Sequence, residues 1–395
     1  MEKTDVLILG GGLAGLSTAY HLNKLGKHSS LVVEKNDFVG GKAGTLSHEG
    51  FLFDHTGHLL HLHDSYGKKL ILGLLRGNLA EHRRNSWIFS KGVFTRYPFQ
   101  ANTFGLPQSA VVDCLAGFLE TVHRPKPLGP SPDFKTFCLR HFGEGITRHF
   151  MAPYNEKLWL RPLQELTTEW QGRFVPKPTV SEVVYGAFSD QRARVGYNAS
   201  FRYPVKGGIQ VLPDALAARL KPGQVRRQAQ VLAVDLAEKT ALVGGVGEIR
   251  YERLVNTLPL ADFLDLALPL PAAVREARKK LRFNTVYNLN IGINRTNISD
   301  KHWIYFPEKK YPFYRAGFLT NFSKQLAPLG ASSMYIEVAR RPDDRVNLPA
   351  LERSILDGLR SCGLLRASDK IVSTLWIPIR CGYVVFDFNR PPAVN

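Results

Sequence analysis

The chain has 395 residues, 44% hydrophobic and 22% charged, which is ordinary globular usage and excludes bulk disorder, a collagen-like repeat and a small stapled module. Lys and Arg outnumber Asp and Glu by 52 to 34, and the resulting net charge of +18 predicts attraction to phosphates or anionic surfaces without choosing between them. The cysteines Cys114, Cys138, Cys362 and Cys381 are dispersed and form no CxxC pair, so neither a structural zinc site nor a disulfide framework is expected.

At the start, Glu2 and Asp5 precede an apolar run that soon breaks into glycines, unlike a secretory leader. No apolar stretch reaches the roughly 18 residues a membrane span needs. A cytoplasmic protein without a transmembrane segment is the expectation. Leu70–Leu75 and Ala110–Leu119 read as buried helix.

Val6–Leu9 reads as a strand, Gly10–Gly15 as a glycine turn and Leu16–Leu22 as the helix behind it. Gly10-x-Gly12-x-x-Gly15 supplies a tight turn, close backbone approach to a pyrophosphate and a close helix–strand contact, with phosphate at the positive helix end. Gly10, Gly12, Ala14 and Gly15 are therefore the expected phosphate-facing residues. A second strand, Ser30–Val33, ends at Glu34, 19 positions after Gly15, where a carboxylate accepts hydrogen bonds from a ribose. Beyond it Phe38-Val39-Gly40-Gly41-Lys42-Ala43-Gly44 forms a second glycine turn, similar to that of the flavin amine-oxidase superfamily. This favours FAD over NAD and adds Gly41 and Lys42 to the expected cofactor contacts.

Phe51–Asp54 alternates and leads into His55-Thr56-Gly57-His58. His55, His58, His61 and His63 lack the scaffold a zinc site requires, and no metal is expected. Trp87–Phe89 and Val93–Tyr97 read as strands around a Ser90-Lys91-Gly92 turn. From Thr103 to Gly196 the pattern is helical, with Phe134, Phe137, Phe142 and Ile146 on core faces. Strand signals return at Ala229–Val234, which holds Val231, at Thr240–Val243, Ile249–Tyr251, Val286–Ile293 and Met334–Val338. The expected fold is α/β: a Rossmann-like FAD-binding domain with a helical insertion and a second, mostly antiparallel sheet. Its expected parts are residues 1–80 with 201–270, then 103–196, then 81–102 with 281–395.

Several motifs in order resemble the UDP-galactopyranose mutase family, and its eukaryotic-type branch more than the bacterial one. They are Tyr97-Pro98-Phe99-Gln100, Phe142–Ile146 with Met151–Trp159, Glu169–Arg173, Gly196-Tyr197-Asn198 with Tyr203-Pro204 and Gly207–Ile209, Trp303–Pro307, and Pro312–Arg315. The resemblance implies FAD in the Rossmann domain, contacted also by Gly57, His58 and Val231, and a nucleotide sugar between the helical domain and the sheet. Arg173 and Arg315 would hold the diphosphate with Tyr305, and Tyr97, Gln100, Asn155, Trp159 and Asn198 would line the nucleotide and sugar pocket. His58, Arg173, Arg315 and Tyr305 would serve catalysis. The implied reaction interconverts the pyranose and furanose forms of a UDP-sugar through an adduct at N5 of the reduced flavin, with NADPH or NADH as electron donor, in cell-surface polysaccharide biosynthesis. The guanidinium fork suits phosphate oxygens on physical grounds alone.

Three departures stand out. Phe322 replaces a family tyrosine that donates to phosphate, His61 stands at a place near the flavin that is commonly apolar, and the family's last flavin-contacting segment is expected beyond Asn395. The alternative reading is an FAD oxidoreductase of the amine oxidase, protoporphyrinogen oxidase or desaturase type, since fold alone does not separate the two. A third reading, a noncatalytic basic binder, rests on Arg83-Arg84, Arg226-Arg227, Arg278-Lys279-Lys280 and Arg340-Arg341. These are scattered and carry no nucleic-acid module, so specific nucleic-acid binding is not expected. The sugar, the base and homo-oligomerisation stay open.

Overall fold

The computed structural model describes residues 1–123, 129–191 and 199–394, with Arg173 described by its backbone alone. The chain opens as β1 (Glu2–Leu9), α1 (Leu13–Leu25) and β2 (Ser30–Val33), and β1 pairs in parallel with β2. Residues on β1 alternate between two apolar layers: Leu7 and Leu9 pack with Leu31 and Val33, while Val6 and Ile8 pack with Ala19 of α1 and Val32. Burial on both faces explains why Val6–Leu9 is a continuous apolar run.

A ribbon of β3 (Thr45–His48) and β4 (Phe51–Asp54) follows, then α2 (Ser65–Leu75) and β5 (Ala80–Arg83). The expectation that Leu70–Leu75 is buried helix needs correction. α2 buries only Leu75: Leu70, Ile71 and Leu74 are half-buried and Tyr66 and Leu72 are exposed, because the helix is covered along part of one side only. The hairpin β6 (Ser86–Ser90) and β7 (Val93–Arg96) turns through Lys91 and Gly92, both at positive φ.

The helical stretch comprises α3 (Gln108–His123), α4 (Phe134–Ile146), α5 (Ala152–Trp159) and α6 (Val180–Phe188). Phe134, Phe137, Phe142 and Ile146 all join its buried core, together with Cys114 and Phe118 of α3. The start of α6 is fixed by a capping box between Thr179 and Glu182.

The chain then returns through β8 (Ser200–Tyr203), α7 (Val211–Ala217), β9 (Val225–Arg226), β10 (Val231–Asp235), β11 (Thr240–Val243) and β12 (Gly247–Asn256). After α8 (Leu260–Leu266) and β13 (Ala267–Leu268), the first sheet is complete, in the order β13-β10-β11-β12-β1-β2-β9. β12 runs parallel to β1, and β10 and β11 extend the sheet as an antiparallel meander.

Beyond α9 (Ala272–Lys280) come β14 (Phe283–Ile293), β15 (Trp303–Tyr305), β16 (Arg315–Gly317), β17 (Ser332–Arg340), α10 (Leu348–Ser361), β18 (Ile371–Val384) and α11 (Arg390–Val394). With β6 and β7 they form the second sheet, ordered β18-β14-β17-β16-β15-β6-β7 and antiparallel except between β15 and β6. One face of β14 and β17, with Leu289, Ile291, Met334 and Ile336, packs against Leu351, Ile355 and Leu359 of α10. The other face meets the β3–β4 ribbon, where Leu46 packs on Val286 and a Cβ on Gly292 would lie 2.5 Å from the Phe51 ring.

Candidate active site

The two glycine turns interlock. Gly10 has φ +102°, and a Cβ on Gly15 would lie 2.0 Å from Gly10 O, so both positions require glycine for the turn and for the close seating of α1. The second turn docks on the first: Gly40 N–H donates to Gly11 O at 2.8 Å, and Gly12 bridges Gly40. A Cβ on Gly12 would enter the gap between the turns, 4.0 Å from Gly40 O and from Gly41 Cα. Ala14 is exposed in the first turn of α1, where the helix's leading N–H groups have no intrahelical acceptor.

Glu34 is 6% exposed; its Oε2 accepts from Gly11 N–H at 2.8 Å and its Oε1 from Asn36 N–H at 2.9 Å. Val231 opens β10 two residues after Ala229, whose N–H bonds Glu34 O at 2.8 Å. Lys42 Nζ donates to Cys381 O at 2.5 Å, and burial holds its ammonium below the usual lysine range. A Cβ on Gly57 would lie 2.4 Å from Tyr335 Oη, so this backbone passes directly over a tyrosine of β17. His58 is pulled down to about 4, chiefly by burial and further by His55, Arg315 and Lys42, and is therefore neutral at physiological pH. The same influences place it within electrostatic reach of Arg315.

Arg315 is the centre of the second cluster. Its Nε donates to Glu337 Oε2 at 2.9 Å and its Nη2 to Oε1 at 2.6 Å, a bidentate pair whose carboxylate is fully buried. Burial opposes the charge, but Glu337 and the surrounding phenols keep the guanidinium ionised. Sheet register sets this geometry: Tyr305 pairs with Arg315, and Arg315 pairs with Glu337, so the three side chains share one face. Tyr305 packs at a tilt against Tyr97, with centroids 5.0 Å apart, and edge-on against Tyr154 at 5.4 Å. Burial raises the phenols of Tyr97, Tyr154, Tyr314, Tyr335 and Tyr383, so each stays a protonated donor.

Other expected pocket residues have protein partners. Gln100 is 3% exposed and donates through Nε2 to Pro176 O at 2.7 Å. Asn155 donates to Met151 O at 2.8 Å and accepts from Trp159 Nε1 at 3.2 Å, and the Trp159 ring lies 5.8 Å from Tyr383. Arg173 sits in a short turn, Gly172–Phe174, with its side chain outside the described residues, as is Asn198. Phe322 is a core residue, packed at 5.3 Å against Tyr203, and His61 lies beside Phe201 at 6.4 Å. Glu337 was not singled out from the sequence; the available signal was one carboxylate inside the apolar run Met334-Tyr335-Ile336-Glu337-Val338.

Residues 13–345 match the model of the flavin containing amine oxidoreductase family. The crystal structure of a reduced UDP-galactopyranose mutase superposes with a TM-score of 0.92 at 28% identity, covering 99% of this chain and 86% of that one. A putative protoporphyrinogen oxidase from Exiguobacterium sp. 255-15 gives a TM-score of 0.73 at 15% identity, with 98% and 88% covered, which speaks to the fold alone. Among curated proteins, a phytoene desaturase from Cercospora nicotianae is 39% identical over 80 residues, 20% of this chain and 11% of that protein. A carotenoid 3,4-desaturase from Haloarcula japonica is 48% identical over 54 residues, 14% of this chain and again 11% of the relative.

Proposed function

The chain belongs to the family of flavin-containing amine oxidoreductases, and from that premise we propose that it is a flavin-dependent mutase interconverting the pyranose and furanose forms of a UDP-sugar. The Arg315–Glu337 pair, set among protonated tyrosines in a fold so similar to the mutase, carries this reading. An oxidase of apolar substrates gains nothing from a desolvated guanidinium clamped by a carboxylate.

The interlocked turns fit FAD. The gap that a Cβ on Gly12 would enter, next to the open end of α1, suits a pyrophosphate, and each Glu34 oxygen keeps a lone pair for a ribose hydroxyl. When bound and reduced, FAD supplies a nucleophilic ring nitrogen and lets the sugar be exchanged without net oxidation. Glu337 occupies the Nε edge of Arg315 and so turns the remaining N–H groups toward a diphosphate, which a bidentate donor orients as well as neutralises. Tyr305, and Arg173 from the helical side, would complete the anion site. His58, held neutral, adds no competing charge beside the arginine. The aromatic walls exclude water and fix the sugar relative to the cofactor, which is the greater part of what such a reaction asks of the protein. On this reading a nicotinamide donor, NADPH or NADH, maintains the reduced state and the enzyme works in the cytoplasm.

The test is to incubate the FAD-loaded, dithionite-reduced protein with UDP-galactopyranose and resolve the products by chromatography. Furanose formation with no net consumption of reductant is expected. No furanose, together with oxygen consumption on amine or polyene substrates, would assign the chain to the oxidoreductases instead.

A further inference from the structure

The row Tyr305, Arg315, Glu337 continues by one strand. Asn288 of β14 lies directly opposite Glu337 in the antiparallel register, and Asn290 lies opposite Tyr335. Both asparagines are fully buried, and among the described residues neither the Nδ2 nor the Oδ1 of either has a hydrogen-bond partner. Tyr314 Oη also faces Glu337, near enough to hydrogen-bond to it. The neighbours on the same face of β18, Leu375 and Ile377, are apolar. A buried amide with no protein partner costs stability, and valine would suit this strand better. The amide beside Glu337 therefore has its use in a state other than the unliganded one.

Resting on the reading of Arg315 as the diphosphate ligand, we propose that Asn288 is a positioning residue: its amide takes over part of Glu337 when an anion draws the guanidinium away. Both carboxylate oxygens are now committed to Arg315. A diphosphate attracts the same guanidinium, and each lengthened bond leaves a lone pair of a buried carboxylate without a donor. Asn288 Nδ2 stands on the adjacent strand, uncommitted, and can donate to that oxygen. The amide thereby lowers the cost of sharing Arg315 with substrate, and Tyr314 Oη is a second donor for the same purpose. Asn290, facing a phenol and not a carboxylate, has no such part.

The experiment measures UDP binding by calorimetry, and melting without UDP, for the FAD-loaded protein and its Asn288→Val, Asn290→Val, Glu337→Gln and Asn288→Val/Glu337→Gln variants. Asn288→Val is expected to melt no lower than the parent yet bind UDP about tenfold more weakly, as for one hydrogen bond to a charged group. Asn290→Val should bind UDP like the parent. In the Glu337→Gln background the Asn288 effect should shrink, since the amide acts through a carboxylate whose charge and second acceptor oxygen that variant lacks. Unchanged UDP affinity in Asn288→Val, an equal loss in Asn290→Val, or a full loss on adding Asn288→Val to Glu337→Gln would each overturn the proposal while leaving the mutase reading intact. If Glu337→Gln does not fold, the Asn288→Val and Asn290→Val comparison decides alone. A parent protein that ignores both UDP and pyrophosphate would overturn the anion site itself, and this proposal with it.

Discussion

Arg315 commits one edge to a single carboxylate, which makes its replacements unequal. Arg315→Lys keeps a charge but cannot span both Glu337 oxygens, so UDP binding should weaken by roughly 1.5–3 kcal/mol, measurable by titration calorimetry. Arg315→Ala should in addition lower folding stability by about 3–5 kcal/mol in urea unfolding, because it leaves a buried charge alone. The glycine turn gives a cleaner separation of fold from function. The Cβ of Gly12→Val enters a gap, not a packed contact, so the variant should fold and yet purify without flavin absorbance. A folded Gly12→Val protein with full flavin occupancy would show that the pyrophosphate lies elsewhere. The glycines were readable in the sequence because their spacing is local. Glu337 was not, because its partner lies 22 residues away and only strand register brings the two together.

Among the elements, α5 is tied to the second sheet by Asn284, whose Nδ2 donates to Leu158 O at 2.6 Å, and by Lys157. Lys157 Nζ donates to Phe306 O at 2.7 Å, Glu308 O at 2.6 Å and Phe313 O at 3.0 Å, tying the helix that carries Asn155 and Trp159 to the segment between β15 and β16. Lys157→Met should therefore cost about 2 kcal/mol or more of stability in chemical denaturation and loosen UDP binding along with it. The strands β5 and β8 pack on another sensitive cluster. His302 accepts from Asn85 N–H at 3.0 Å, its ring lies 5.6 Å from His82 and 5.0 Å from Phe201, and burial, aided by His82, pulls it down to about 4. His58 is depressed to about the same value. Between pH 4 and the ordinary histidine value of 6.5 the unfolded chain binds more protons, so their contribution is complete above 6.5 and is lost on acidification. Asp54, buried and raised to about 6, acts in the opposite sense between 3.8 and 6, but burial also lowers His55, His61 and His82, which add to the histidine side. The melting temperature should fall from pH 6.5 to pH 4, and His302→Gln should flatten that slope. Strand and helix type were legible from period. The exposure of α2 was not, since apolar spacing reads the same whether or not a partner element covers it.

At the scale of the whole molecule, the two sheets are interleaved along the chain: β6 and β7 belong with β14–β18, and β9–β13 return to β1 and β2. The Rossmann half and the antiparallel half could each be read from pattern. The lateral row that joins Tyr305, Arg315, Glu337 and Asn288 could not, because it depends on how four strands slide against each other. The prior docking of the second glycine turn on the first has a kinetic meaning. Gly11 is already held through its N–H by Glu34 and through its carbonyl by Gly40, so no loop closure has to precede or follow the arrival of the dinucleotide. Flavin capture by the stripped protein should then be a single bimolecular event. In stopped-flow mixing the observed rate should rise linearly with FAD concentration and show no plateau, whereas saturation would mean that the cradle rearranges before or after the cofactor arrives.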